Sequence, residues 1–287
     1  MENNLVTTEW LETNLAGVRV VDIRGHVRPA SDPLPHYYNH REDYRKAHIP
    51  GAVFVDWVEE ITDPDDPRHA QIAKPERYAE VMRRIGVSDD TFVVAYDDAA
   101  SMFAARLWWS LNYYGHTKVA VLNGGWQKWM AEGRVTTDEI PTFPAGHFTP
   151  RPTPPIYRSG DQVMSALGSN QTLIDVRTPQ EFHGEASRAK RGGHIPGAIN
   201  VPRGKLTDAS GLLLPPDQLR EQFAAAGVTD ESDNVVFYCN GGVSASFGLL
   251  ALHAAGLANE KSDESANGSV YDGSWKDWGN DDSKPVE

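Results

Sequence analysis

The chain of 287 residues contains the same series of motifs twice, in the same order. The blocks and their counterparts are VVDIR at 20–24 and LIDVR at 173–177, HIPGA at 48–52 and at 194–198, GVS at 86–88 and GVT at 227–229, VVAYD at 93–97 and VVFYC at 235–239, and NGGW at 123–126 and DGSW at 272–275. A repeat longer than 100 residues predicts two domains of one fold rather than a solenoid of short units.

A proline-rich segment separates the two copies. Successive prolines between residues 141 and 155 oppose both helix and central strand, because proline lacks an N–H donor and has a fixed φ. We therefore predict a first domain at 1–140, a linker at 141–156 and a second domain at 157–287.

Each copy alternates apolar strands with helical segments. The predicted helices are 75–85 and 103–113 in the first copy, and 216–226 and 246–255 in the second. Strands that alternate with helices predict an α/β fold, here two tandem domains that each have a parallel sheet with helices on both faces.

Composition excludes several classes of function. With 27 Lys and Arg against 40 Asp and Glu, the net charge is −13, which disfavours binding to nucleic acid or anionic lipid.

The single cysteine, Cys239, excludes an internal disulfide and any zinc site built on several thiolates, and it favours a reducing, cytoplasmic location. Neither a signal-peptide pattern at the amino terminus nor an apolar run long enough to span a membrane is present in the sequence.

Cys239 follows a predicted strand and precedes a predicted helix. The loop between them reads Cys239-Asn240-Gly241-Gly242-Val243-Ser244, so successive backbone N–H groups can surround an anion. Amide dipoles at that position favour the negatively charged form of sulfur, which is the nucleophilic form. We therefore predict that Cys239 is a catalytic nucleophile rather than a small buried core residue.

The first copy has Asp97 at the position of Cys239. A carboxylate supplies no sulfur nucleophile and places negative charge where an anion would bind. We expect the first domain to be catalytically inactive.

The duplicated blocks and the Cys239–Ser244 loop resemble the rhodanese superfamily, specifically its two-domain sulfurtransferases for thiosulfate and 3-mercaptopyruvate. The resemblance covers nearly the whole chain. It implies an active carboxyl-terminal domain, an inactive amino-terminal domain and a site at their interface. It also implies that Cys239 takes sulfane sulfur from a donor as a persulfide and passes it to a thiophilic acceptor such as cyanide or a thiol. This chemistry needs no metal or organic cofactor, because the enzyme itself carries the sulfur.

Both donors are anions, so the pocket of an acidic protein needs local positive charge. Residues 176–206 contain six basic and two acidic residues, a local net charge of +4. Among them we predict Arg188 and Arg177 as substrate-binding residues; the resemblance places a carboxylate-binding arginine near Arg188.

The loop departs from both patterns of the family. Thiosulfate enzymes typically read CRKGVT and mercaptopyruvate enzymes CGSGVT, whereas this loop reads CNGGVS. The serine that mercaptopyruvate enzymes pair with an aspartate is replaced by Gly241, although Asp56 occupies the matching aspartate position. We therefore expect thiosulfate rather than 3-mercaptopyruvate as donor.

Two alternatives stay open. The protein could be a persulfide carrier or regulatory module that docks on a partner and delivers sulfur to a protein acceptor. Cysteine-dependent phosphatases use a similar loop, but they require an arginine six residues after the cysteine, where this chain has Ala245.

Other residues are expected to be structural. His48 and His194 lie in turns that both copies share, and both copies have an Asp-x-Arg pair at the end of a strand. Trp108, Trp109, Trp126 and Trp275 are predicted core residues.

Overall fold

The computed structural model describes residues 4–29, 32–33, 35–68, 70–258, 260–262 and 265–287. It contains two parallel five-stranded sheets, one for each copy of the repeat, and two short antiparallel hairpins. The predicted tandem α/β architecture is confirmed.

The first sheet has the strand order β1-β7-β6-β2-β5, and every pair in it is parallel. A hairpin of β3 and β4 projects from this domain. The strands of the first domain are β1 (Leu5–Val6), β2 (Arg19–Asp22), β3 (Gly25–Val27), β4 (Tyr37–Asn39), β5 (Val53–Phe54), β6 (Val93–Tyr96) and β7 (Val119–Leu122).

The second sheet has the order β10-β9-β11-β14-β8, again with parallel pairs throughout. β12 and β13 form the second hairpin. The strands are β8 (Tyr157–Arg158), β9 (Thr172–Asp175), β10 (Ile199–Asn200), β11 (Val235–Tyr238), β12 (Glu260–Ser262), β13 (Ser265–Ala266) and β14 (Gly268–Tyr271). The central β11 is buried along its whole length, as expected for a parallel strand covered on both faces.

Helices cover both faces of each sheet. They are α1 (Thr8–Asn14), α2 (Arg41–Lys46), α3 (Pro75–Arg84), α4 (Met102–Tyr113), α5 (Gly125–Ala131), α6 (Gly160–Ser165), α7 (Pro179–Phe182), α8 (Pro216–Ala225), α9 (Val243–Ala254) and α10 (Ser274–Trp278). Among the described residues, none of these helices has both the length and the apolar character that crossing a bilayer requires.

The helix predictions differ from the structure mainly at one end of α9. α3 and α8 begin at the predicted prolines and end one residue earlier than predicted. α9 begins at Val243, three residues before the predicted Ser246, because Gly242 adopts a left-handed conformation (φ 79°) that starts the helix at once. Val243 and Ser244 therefore belong to the first turn of a helix and not to the loop in which the sequence analysis placed them.

The Asp-x-Arg pairs brace the strand ends, as predicted. Asp175 accepts from the backbone N–H of Arg177 at 2.9 Å and from its guanidinium at 2.6–3.1 Å. Asp22 and Arg24 make a corresponding pair in the first domain. These charge-assisted bonds fix the strand-to-loop turns below the site.

The shared turns and most of the tryptophans are structural too. The His48 ring bonds the backbone oxygens of Tyr44 and Glu139, and His194 stacks on Phe182 with 3.7 Å between ring centroids. Three of the four predicted core tryptophans are buried. Trp126 is an exception, because its side chain is only half-buried. Its ring packs over the Arg24 guanidinium, at 4.3 Å, and does not lie in the core.

A buried ion pair joins the two domains. Arg106 of α4 lies 2.6 Å from Asp272, which follows β14, and both side chains are 1% exposed. The second oxygen of Asp272 accepts from the N–H of Ile72, and its backbone oxygen accepts from Gln71. α4 and α9 pack against each other beside this pair. Asp272 also lies against Gly242, where a Cβ would be 2.5 Å from its carboxylate.

We expect Asp272→Ala to reduce the free energy of unfolding by about 3–5 kcal/mol, because it leaves the Arg106 guanidinium buried without a counter-charge. The measurement is the urea unfolding midpoint. The control is Asp282→Ala, which removes an exposed partner of Lys190 and is expected to leave the unfolding midpoint nearly unchanged. Equal and small effects of the two substitutions would contradict a structural role for the buried pair.

Candidate active site

Cys239 lies where the central strand β11 ends and α9 is about to begin. Its side chain is 4% exposed, and the thiol is free. Its backbone oxygen accepts from the N–H of Trp275, and the oxygen of Asn240 accepts from the N–H of Lys276. The loop is thus held by the chain that follows β14, the neighbouring parallel strand.

The hydroxyl of Ser274 fixes the conformation of this loop through hydrogen bonds to its backbone. Its hydroxyl accepts from the N–H groups of Cys239 at 3.0 Å and Gly242 at 3.1 Å, and donates to the backbone oxygen of Tyr271 at 2.7 Å. Ser274 itself has φ 53°, an uncommon conformation for a residue with a side chain. The first copy has Gly125 at the corresponding position.

Several loop amides have no protein acceptor. Within the described part of the chain, none is recorded for the backbone N–H groups of Asn240, Gly241, Val243 and Ser244. Because these groups stand at the N-terminus of the twelve-residue helix α9, they favour negative charge beside them.

In the first domain the equivalent amides are filled by the chain itself. One oxygen of Asp97 accepts from the N–H groups of Ala99 and Ser101, both at 2.9 Å. The other accepts from Phe103 at 2.7 Å and Ala104 at 2.8 Å. Burial raises the pKa of Asp97, an effect that these backbone bonds oppose. The anion-binding loop of the first domain therefore holds a permanent internal ligand.

A cavity of about 340 Å³ opens at Cys239 between the two domains. Its lining is Val27, Tyr37, Ala70 and Met102 from the first domain, and Val176, Arg177, Thr178, Glu181, Arg188, Pro202, Arg203, Gly204, Cys239, Asn240, Gly241, Val243 and Ser244 from the second.

Three arginines give this cavity its positive charge. The Arg177 guanidinium bonds Asp175 and the oxygen of Gly193, but its Nη1 atom is buried without a partner among the described residues. The Nη1 atom of Arg188 is likewise buried with no partner in that part of the chain, and its Nε atom lies 3.8 Å from Glu181. Arg203 donates to backbone oxygens of the first-domain loop and interacts with the charge of Cys239. Free donors on two cations suit an anionic ligand.

Asn240 connects the loop to this cluster of cations. Its side-chain N–H donates to Glu181 at 2.8 Å, while its Oδ1 atom is buried and receives no hydrogen bond from the residues that the structure describes. Glu181 thus lies between the loop amide and Arg188 and holds both in place.

Most of the predicted site residues meet in this cavity. Cys239, Asn240, Gly241, Val243, Ser244, Arg177 and Arg188 all line it, whereas Gly242 packs beneath it against Asp272. Asp56 lies outside the lining, and its oxygens accept from Asn39 and from the N–H of Val58.

Sequence reasoning missed three residues around the sulfur. Tyr37 comes from the β3–β4 hairpin, whose short strands gave no clear pattern. Ser274 lies in the repeated DGSW block and Lys276 directly follows it. Both differ from their counterparts in the first copy, Gly125 and Gln127, and this difference could have identified them from the sequence.

Comparison with protein families gives two matches along this chain. The rhodanese-like domain model matches residues 7–132 and again residues 159–281.

Relatives of similar length carry sulfur-transfer names. The sulfur carrier protein TtuD of Thermus thermophilus is 33% identical over 292 residues, which cover 96% of this chain and 93% of that protein. A thiosulfate sulfurtransferase of Gallus gallus is 33% identical over 285 residues, covering 96% and 92%. The structure of SseA from Escherichia coli, described with the rhodanese fold of 3-mercaptopyruvate sulfotransferases, superposes with a TM-score of 0.81 at 29% identity, covering 95% of this chain and 99% of that one.

We expect Asp97→Asn to reduce the free energy of unfolding by about 2–3 kcal/mol, because an amide group would face two buried N–H donors that the carboxylate now satisfies. Urea unfolding measures this loss, with the exposed Asp217→Asn as control. An unchanged unfolding midpoint would contradict the internal-ligand interpretation.

Proposed function

Because the chain belongs to the rhodanese-like family of sulfurtransferases, with two domains of that family in tandem, we propose that it moves sulfane sulfur through a persulfide on Cys239. The observation that carries this proposal is the position of the thiol at an interdomain cavity. Within the described ranges of the chain, the loop amides around it have no acceptors and two arginines of the cavity have unpaired donors. The first domain, with its loop filled by Asp97, carries no sulfur.

The first half-reaction begins with the Cys239 thiolate. Its sulfur attacks the outer sulfur of thiosulfate, a new S–S bond forms, and the bond inside thiosulfate breaks as sulfite leaves with the electron pair. The guanidinium groups of Arg177 and Arg188 stabilise the leaving anion, and the loop amides hold the negative charge on the persulfide.

The second half-reaction regenerates the thiolate. An acceptor, either cyanide or a thiolate, attacks the outer sulfur of the persulfide, and the S–S bond breaks so that its electron pair returns to Cys239. One nucleophile serves both steps, so the kinetics are ping-pong. No metal or organic cofactor takes part in this scheme.

We place thiosulfate ahead of 3-mercaptopyruvate as donor. Gly241 lacks the hydroxyl of the serine that mercaptopyruvate enzymes have there, and Asp56 is occupied by Asn39 and by a turn. Both kinds of name occur among the relatives, so this preference rests on the loop chemistry alone.

A sulfur carrier is the second candidate, and the 33% identity to a protein named as a sulfur carrier favours it. Such a protein would pass its persulfide to a protein acceptor that docks over the cavity. Rapid multiple turnover with cyanide distinguishes the enzyme from a carrier, because a carrier reacts slowly with small acceptors.

Treatment with thiosulfate is expected to add one sulfur atom to Cys239, and cyanide is expected to remove it. Peptide mass spectrometry reads this directly, since the chain has no other cysteine. Cys239→Ser should lose at least about 10³-fold of the transfer rate, because a hydroxyl is a far poorer sulfur nucleophile at neutral pH. Sulfur transfer that persists at the wild-type rate in this variant would refute the proposed function.

The donor preference predicts a higher kcat/KM for thiosulfate than for 3-mercaptopyruvate, with cyanide as common acceptor. Gly241→Ser should shift the ratio of the two values toward 3-mercaptopyruvate by about tenfold if the missing hydroxyl sets the preference. Gly204→Ser, another glycine of the cavity lining with open space around it, is the control. A wild-type preference for 3-mercaptopyruvate would overturn this part of the proposal.

A further inference from the structure

Lys276 is a buried cation beside the nucleophilic loop. It lies on α10 directly after the DGSW block, and its backbone N–H donates to Asn240, the residue after Cys239. Its side chain is only 9% exposed. The corresponding residue of the first copy, Gln127, is exposed and uncharged. The cation is therefore specific to the half of the molecule that carries the thiol.

The amine of Lys276 lacks a counter-charge. In the described part of the chain, no carboxylate or hydrogen-bond acceptor is recorded for its Nζ atom, which lies 4.2 Å from the centre of the Tyr37 ring. Lys284 is equally buried, at 8%, but its Nζ atom pairs with Asp277 at 3.1 Å and Asp281 at 3.6 Å. A mostly buried lysine without such a partner is uncommon, so its position next to the Cys239 loop calls for a functional explanation.

The charged groups around the amine point to the same cavity. Burial and the neighbouring Arg188 lower the pKa of Lys276 to about 8, while the charge of Cys239 acts in the opposite direction. Tyr37 lines the cavity and has the amine over its ring. Burial raises the pKa of Tyr37 to about 12, with Arg188 acting to lower it and the charges of Cys239 and Glu181 to raise it. Tyr37 is thus neutral at physiological pH. The Glu181 carboxylate is bound by Asn240 and lies 3.8 Å from Arg188, so the Cys239 sulfur or a bound anion supplies the negative charge that faces Lys276.

We propose that Lys276 is the electrostatic partner of the Cys239 sulfur: its ammonium supplies positive potential that favours anionic sulfur donors over neutral ones. The inference deepens the proposed function by naming a residue that makes the site selective for its anionic donor, and it rests on that function for its biological meaning. Lys276 acts on the thiol and on the incoming anion by long-range electrostatic attraction. It is a selectivity residue and takes no part in the covalent steps.

The test compares two reagents that alkylate the same sulfur, the anion iodoacetate and the neutral iodoacetamide. Both rates depend equally on how much thiolate is present, so their ratio reports only the potential that the reagent meets. We expect Lys276→Met to lower the ratio of the iodoacetate rate to the iodoacetamide rate by about tenfold, whereas Lys276→Arg keeps it. Lys190→Met, which removes an exposed lysine paired with Asp282, is the matched control and should leave the ratio unchanged.

The pH dependence adds a second readout that packing alone would not produce. Lys276 is charged below its pKa of about 8, so the wild-type ratio should fall as the pH rises from about 6.5 to about 9.5. The Arg variant should show no such fall, because its guanidinium stays charged throughout. Tyr37 stays neutral across this range because burial raises its pKa to about 12, and the amount of thiolate affects both rates equally.

Folding controls keep the test decisive. Methionine removes an unpaired buried charge at similar length, so Lys276→Met should unfold at the same temperature as the wild type or higher. Equal ratios in the wild type and the Met variant, with both proteins folded, would overturn the role of Lys276. Because alkylation requires only the thiol, this result is independent of whether the protein transfers sulfur.

Discussion

The molecule is organised around unsatisfied backbone N–H groups at the amino ends of two equivalent helices. Parallel strands deliver the chain to these helix ends, where the first turn has more donors than acceptors. In the first domain the Asp97 carboxylate accepts hydrogen bonds from four of these N–H groups, so these donors are satisfied without a ligand. In the second domain the same place holds Cys239, and the loop amides are free to stabilise an anionic sulfur. The residue at this one position, Asp97 or Cys239, thus determines whether the loop amides bind the protein's own side chain or are available to an anion.

The duplication contributes more than a second copy of the fold. The cavity at Cys239 needs walls from both domains, and the first domain provides Val27, Tyr37, Ala70 and Met102. The Arg106–Asp272 pair fixes how the domains meet, and it lies against Gly242, the residue that starts α9. The first domain is therefore part of the site, because it closes the cavity and contributes the ring on which Lys276 packs.

The repeated motifs were enough to predict the fold, since strands that alternate with helices in two matching series permit few other arrangements. They also predicted seven of the seventeen residues that line the cavity, including the proposed nucleophile, because loops after parallel strands converge at one edge of a sheet. The contribution of Tyr37 could not be predicted, because a residue far from the loop in sequence reaches it only through the packing of the two domains. The early start of α9 depended on the conformation of Gly242, and the lone charge of Lys276 became visible only when its neighbours were known.

The central claim is that the free amides of the Cys239 loop hold a negatively charged sulfur that the Asp97 loop cannot hold. A crystal structure of the wild-type protein treated with thiosulfate tests it most directly. The account predicts an additional sulfur atom about 2.05 Å from the Cys239 sulfur, directed at the N–H groups of Gly241, Val243 and Ser244, with no anion at the Asp97 loop. A persulfide that points away from these amides, or an anion bound at the Asp97 loop instead, would contradict it.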